Sequence, residues 1–297
     1  MSTPRFLSLP PGVHRVRVET PVGAFAALEA LPVSGVAERW PALLVPGYTG
    51  SKEDFIAVLQ TLAQAGRRVI AIDMRGQYET PGPDDPAAYT CVALGEDVDA
   101  VAMAVGAGEP VHLLGHSFGG LVTRETVLDG MSKLASYTLM SSGPAGIGGS
   151  REKLARMLLS DLPELGAKCL WSRHIEPEVL AAGVPDDIVA FLRDRMLYSS
   201  PAGLLAMGEQ VLCTRDRVDE LPQAGVPILV LYGEHDDGWP PEIQAEMAAL
   251  LDADCVVVPG AMHSPAVEAP ETTAAALTRF WNDAERNHPE YGRSQGA

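Results

Sequence analysis

Residues 115–119 read Gly-His-Ser-Phe-Gly, at the point where an apolar run (111–116) gives way to a helical pattern (118–128). A sharp strand-to-helix turn of this G-x-S-x-G form exposes its serine at the carboxyl end of a sheet. The serine backbone is strained there, and side chains two residues either side would collide, so glycine is needed at both places. The Phe118 N–H then opens a helix and points toward negative charge developing on a substrate oxygen. Gly120 lets that helix pack closely. The bland alternative is a glycine-rich turn, and the strand–turn–helix context weighs against it.

A serine hydroxyl is a weak nucleophile without a base, so a histidine and a carboxylate must follow it. Seven histidines are available. His14 and His112 fall in strand patterns, His116 in the turn itself, His174 in a helical stretch and His288 near the end. His235 and His263 remain. His263 stands in the loop between the last apolar run and the last helical pattern, where a base can swing over Ser117. For the acid, the segment after the run at 227–233 offers Asp236 and Asp237. A carboxylate there can bond the far nitrogen of His263, fixing its tautomer and stabilising the imidazolium. His235 lies among acids, but one short cluster without a partner elsewhere does not make a metal site. Neither a metal nor a cofactor is expected.

These side chains need a frame. Residues 13–19 and 24–31, joined by Pro-Val-Gly, read as an antiparallel hairpin. Then come short continuous apolar runs at 42–47, 68–73, 111–116, 137–142, 227–233 and 255–260, the pattern of strands buried on both faces of a parallel sheet. Helical patterns fall between most of them, at 54–64, 94–105, 118–128, 242–251 and 272–284. The alternation predicts a doubly wound α/β fold, a mostly parallel twisted sheet with helices on both faces. It breaks once. Between 142 and 226 no strand pattern occurs, and three stretches (151–165, 185–199, 201–212) look helical. The expected organisation is an α/β core at 1–145 and 220–286, a helical cap inserted at 146–219 between two late strands, and a polar tail at 287–297.

The totals bound what such a chain does. At 297 residues it suits one large α/β domain or a core with an insertion. Its 22 basic and 39 acidic residues leave a net charge of −17, which disfavours nucleic acid or anionic membrane as a partner. The four cysteines are widely spaced, with neither a C-x-x-C pair nor a signal-like apolar start, so reduced thiols in a cytoplasmic protein are expected. Self-association is left open.

Together these residues resemble the α/β-hydrolase superfamily over nearly the whole chain. Gly233, Asp236 and Pro240 fit its Gly-x-x-Asp-x-x-x-Pro pattern, so the resemblance selects Asp236 over Asp237. Gly260, His263, Pro265, Glu268 and Pro270 fit its late Gly-x-x-His-x-Pro-x-x-Glu-x-Pro pattern. The family's early His-Gly-x turn becomes Pro46-Gly47-Tyr48, which keeps a backbone donor at Tyr48. Its Asp-x-Arg-Gly-x-Gly stretch becomes Asp73-Met74-Arg75-Gly76-Gln77-Tyr78 and loses the last glycine. Asp73 and Arg75 are read first as structural ion-pairing residues. The resemblance implies acyl transfer through an acyl-enzyme, with Ser117 as nucleophile, His263 as base, Asp236 as its partner, and the N–H groups of Tyr48 and Phe118 as the oxyanion hole. His116 and Trp239 are candidate pocket residues. A serine nucleophile speaks against dehalogenase or epoxide-hydrolase chemistry, where an aspartate stands there. The turn also departs from the Gly-Gly-Ser-Trp-Gly of proline iminopeptidases. The expected substrate is a small to medium apolar carboxylic ester. A carbon–carbon bond hydrolase, thioesterase, lactonase or perhydrolase would show the same triad, and a non-catalytic small-molecule receptor could share the fold.

Overall fold

The fold was determined as a computed structural model, which describes residues 1–35 and 37–288. The part of the expected polar tail at 289–297 lies outside the described residues. Eight strands form one sheet in the order β1-β2-β4-β3-β5-β6-β7-β8. They are β1 (Val13–Thr20), β2 (Gly23–Ala30), β3 (Arg39–Val45), β4 (Arg67–Ile72), β5 (Val111–His116), β6 (Leu134–Met140), β7 (Ile228–Gly233) and β8 (Asp254–Val258). The first hairpin and the β2–β4 contact are antiparallel; every other pairing is parallel.

Each central strand alternates between two apolar layers. In β5, Val111 and Leu113 face the layer built with α2 (Cys91–Gly106) and α3 (Phe118–Asp129). Leu114 faces the layer built with α1 (Ile56–Gln64) and α10 (Pro270–Asn287). Both faces are thus covered by helices, and the continuous apolar runs follow from that two-sided burial. The exception is β8. Its apolar run predicts a strand buried on both faces, but it forms the sheet edge and Val257 is 46% exposed.

Between β6 and β7 the chain runs through helices instead of strands: α4 (Gly149–Leu170), α5 (Glu176–Ala181), α6 (Asp186–Tyr198) and α7 (Pro201–Cys213). They share an apolar core that includes Leu158, Leu162, Trp171, Ile188 and Leu192. Helix α4 carries Pro163 and is kinked at Gly166, whose φ of 71° lies outside the helical region. Helix α5 buries none of its residues. It therefore lacks the apolar periodicity that marks its neighbours, which is why the sequence pattern shows only three helical stretches here. Two charged contacts tie these helices to the core. The Arg195 guanidinium of α6 lies 2.8 Å from Asp54, with both side chains buried, and Arg151 of α4 lies 2.7 Å from Asp237. Among the described residues no helix is long and apolar enough to cross a membrane. Two further helices, α8 (Pro241–Leu250) and α9 (Pro265–Glu268), follow β7 and β8 and shape the loops at the sheet's carboxyl edge.

Candidate active site

The turn between β5 and α3 puts Ser117 in a conformation that few non-glycine residues adopt, φ 55° and ψ −123°. The flanking glycines make the turn possible by close approach. A Cβ at Gly115 would fall 2.2 Å from Thr123 Oγ1, and one at Gly119 would fall 2.4 Å from the Pro46 carbonyl oxygen. Ser117 occupies the N-cap position of α3, yet its hydroxyl makes no capping bond. It is directed elsewhere.

It donates to His263 Nε2 across 2.9 Å, and His263 Nδ1–H donates to Asp236 Oδ1 across 2.8 Å. Ser117 comes from the end of β5, Asp236 from the loop after β7, and His263 from the loop after β8. Asp236 is anchored twice more, by the Gly238 N–H (2.8 Å) and by Gln244 Nε2 (3.1 Å). All three side chains are buried.

Burial sets the protonation states. It pushes His263 below its ordinary value, and the nearby Arg151 charge adds to this; the Asp236 hydrogen bond and charge oppose it without prevailing. His263 is therefore neutral at pH 7 and able to accept a proton. Burial alone would raise the Asp236 carboxyl, but the His263 hydrogen bond and charge and the Gly238 and Gln244 donors outweigh it and hold it low. His116 is pushed down to about 3, first by burial and then by His263. It donates from Nε2 to the His263 carbonyl oxygen at 2.7 Å and so fixes the backbone that carries His263.

The Pro46-Gly47-Tyr48 turn lies directly against Ser117. A Cβ on Gly47 would sit 3.1 Å from Ser117 Cβ. Gln77 holds this turn: its Nε2 donates to the carbonyl oxygens of Gly47 (2.7 Å) and Tyr48 (3.1 Å). In a trans peptide the N–H points opposite to the carbonyl. With the Gly47 carbonyl bonded to Gln77, the Tyr48 N–H points away from Gln77. Among the described residues it makes no hydrogen bond to protein, and the Phe118 N–H, first in α3, has no intrahelical acceptor.

A cavity opens over Ser117. Its walls include Gly47, Tyr48, His116, Ser117, His263, and Arg151, Leu154 and Leu158 of α4. His116 thus lines the cavity, as the sequence suggests. Trp239 does not. It is 2% exposed, stacks on His263 with ring centres 6.1 Å apart, and donates to the Ala145 carbonyl oxygen. Its ring fills the space against Gly143 behind the histidine, leaving none of it for a ligand. Asp237 pairs with Arg151. Asp236, Asp237 and His263 also form a compact group of metal-ligand type, but Asp236 Oδ1 and both ring nitrogens of His263 are already engaged within the hydrogen-bonded chain. Asp73 and Arg75 are ion-paired, with Lys52 and Asp97 respectively, and neither lines the cavity.

Three contributors are not legible in sequence. Gln77, Gln244 and Arg151 are single polar residues whose types carry no motif signal; Gln77 and Arg151 act through contacts 30 and 86 residues along the chain, and Gln244 through one eight residues back. The only hint at Gln77 is its place beside the lost glycine, where Tyr78 now holds a positive φ of 41°.

The chain belongs to the alpha/beta hydrolase family, whose model matches residues 42–276. It is 36% identical over 110 residues to a putative carbamate hydrolase, RutD, of Variovorax paradoxus, and 33% identical over 113 residues to a proline iminopeptidase of Lactobacillus delbrueckii subsp. lactis. Each match covers 37% of this chain, and 41% and 38% of those relatives' own lengths. Among solved structures, a thermophilic esterase from Thermogutta terrifontis superposes with a TM-score of 0.68 at 23% identity, over 91% of this chain and 99% of the esterase. At that identity the likeness concerns the fold.

Proposed function

We propose that this chain is a serine hydrolase of small to medium apolar carboxylic esters, working through an acyl-enzyme. The observation that carries the reading is the unbroken chain from Asp236 Oδ1 through His263 to Ser117 Oγ, at 2.8 and 2.9 Å, ending on a serine held in a strained turn. In this reading His263 Nε2 takes the hydroxyl proton as Ser117 Oγ bonds to the ester carbonyl carbon. The anionic oxygen that results is held by the N–H groups of Tyr48 and Phe118, both without a protein acceptor among the described residues. His263 then gives its proton to the departing alkoxide, and the alcohol leaves. Water, deprotonated by His263, attacks the serine ester and releases the acid.

The helices between β6 and β7 act as a cap, supplying Arg151, Leu154 and Leu158 to the cavity wall. Apolar cap residues beside the serine favour an uncharged, apolar substrate over a highly charged one. A reducing, cytoplasmic setting agrees with four cysteines that are all unpaired.

The test is pre-steady-state hydrolysis of p-nitrophenyl butyrate. The reading predicts a burst of p-nitrophenol stoichiometric with enzyme and followed by turnover, absent in Ser117→Ala. Equal turnover by Ser117→Ala, or binding without any release, would overturn it.

A further inference from the structure

One carboxylate grips the loop that carries His263 on both sides of the histidine. Glu268, in α9, accepts the Met262 N–H with Oε2 and the Ser264 N–H with Oε1, the latter at 3.1 Å. The other ends of the same two peptide groups are held as well. The Ala261 carbonyl oxygen accepts the His235 N–H at 2.9 Å, and the His263 carbonyl oxygen accepts the N–H of His116 Nε2 at 2.7 Å. A peptide group is planar, with its N–H and carbonyl opposed, so fixing both ends fixes its plane. Only the peptide group joining Met262 to His263 lies between these two planes. Its carbonyl oxygen packs against Gly233, where it leaves no room for a Cβ. The direction in which the His263 side chain leaves the backbone follows from these constraints.

A carboxylate in the first turn of a helix commonly reaches back to the N–H of the N-cap residue. Ser264 is the N-cap of α9, so its bond to Glu268 alone would be ordinary capping. The bond to Met262 is different, because Met262 lies outside the helix on the far side of the base. Bonds to a carboxylate are about twice as strong as bonds between neutral groups, and here one carboxylate makes two. The Glu268 backbone is itself tied down, since its carbonyl oxygen accepts from the Arg5 guanidinium. Glu268 does not line the cavity over Ser117, so any effect it has on the reaction passes through His263. The demand on His263 is strict. Its Nε2 must stay beside Ser117 Oγ while its Nδ1 stays beside Asp236, and a misplacement of about 1 Å can cost on the order of a hundredfold in rate.

We infer that Glu268 is a positioning residue for the base: its carboxylate clamps the peptide groups on either side of His263 and so holds the imidazole between Ser117 and Asp236. The inference rests on the reading of Ser117 and His263 as nucleophile and base. Without the clamp the ring drifts from its two partners while the cavity wall is unchanged. Proton transfer slows and substrate binding does not, so the loss falls on kcat and not on KM.

The experiment is steady-state hydrolysis of p-nitrophenyl butyrate by wild type, Glu268→Ala and Glu268→Gln, each first checked by thermal melting. It is joined to proton NMR of the hydrogen shared by His263 and Asp236, which a strong hydrogen bond moves downfield of the backbone amides; Asp236→Asn identifies that signal. Glu268→Ala is expected to lower kcat about tenfold to a hundredfold with KM within about twofold of wild type, and to broaden or abolish the downfield signal. Glu268→Gln keeps one acceptor oxygen and is expected to lie between the two. Should the alanine variant not fold, the glutamine variant decides alone, by a fall in kcat of about threefold or more. A kcat equal to wild type, a loss carried by KM, or an unchanged downfield signal would overturn the clamp while leaving Ser117-dependent hydrolysis standing. If wild type hydrolyses no ester, the hydrolase reading fails by itself, and the downfield signal in the Glu268 variants decides the clamp.

Discussion

Ser117 was legible because its signal is local: five residues in a strand–turn–helix context dictate one backbone conformation, and the φ of 55° is that conformation. His263 and Asp236 were legible by elimination and by pattern, since each stands in a loop after a late strand. What sequence could not show is how the site is held. Gln77 reaches 30 residues back to the Gly47 carbonyl, and no spacing rule foretells such a contact. Gln77→Leu should lower kcat by on the order of tenfold to a hundredfold with little change in KM, because the N–H it positions acts on the transition state. A rise in KM alone, in steady-state kinetics on p-nitrophenyl butyrate, would contradict that role. Arg151 adjusts the base. Since burial and Arg151 both lower His263, the acid limb of kcat/KM should have its midpoint below 6.5 in wild type. Arg151→Met removes one of those causes and should move the midpoint upward; a downward shift in the pH–rate profile would refute the assignment.

The alternation of strand and helix, the opening hairpin and the long helical interruption were all readable from apolar period. The period fails where an element buries little, as in α5, or where an apolar run lies at an edge, as in β8. It also cannot report what joins two elements. Helix α6 meets the loop before α1 through Arg195 and Asp54, buried together. Burial raises the Asp54 carboxyl to about 6 even though Arg195 pulls the other way. Arg195→Met leaves that carboxylate without its partner, so it should cost about 3–5 kcal/mol at pH 8. The raised value means that a proton is bound below about pH 6, so the loss should shrink at pH 5. Urea unfolding at the two pH values measures the difference, and an equal loss at both would count against the ion pair as the cause.

At the scale of the whole molecule, the apolar face packed on α1 and α10 encloses a charged cluster. Glu285 of α10 meets Arg67 at 2.7 Å and His112 at 3.0 Å, and Arg39 at 2.8 Å. Burial would raise Glu285, but the His112 hydrogen bond and the Arg67 charge outweigh it and bring it down to about 2. Burial pushes His112 down to about 4, so at neutral pH the positive charge on Glu285 comes from the arginines. A depressed carboxyl contributes stability that is complete above its unfolded value, near 4.5, and is lost as pH falls through about 2. Glu285→Gln should therefore be destabilised at pH 7, by about 3–5 kcal/mol, with the gap to wild type closing toward pH 2 in denaturant titrations. The net charge of −17 says little about this network, because a sum over the chain is blind to which charges are buried together.

The central claim is that Ser117 is a nucleophile activated by His263. Intact-mass analysis after treatment with a fluorophosphonate tests it most directly, on wild type, Ser117→Ala and His263→Ala. The account predicts one adduct on wild type and none on either variant. A folded wild type that takes up no adduct, or a Ser117→Ala variant that still takes one, would contradict it.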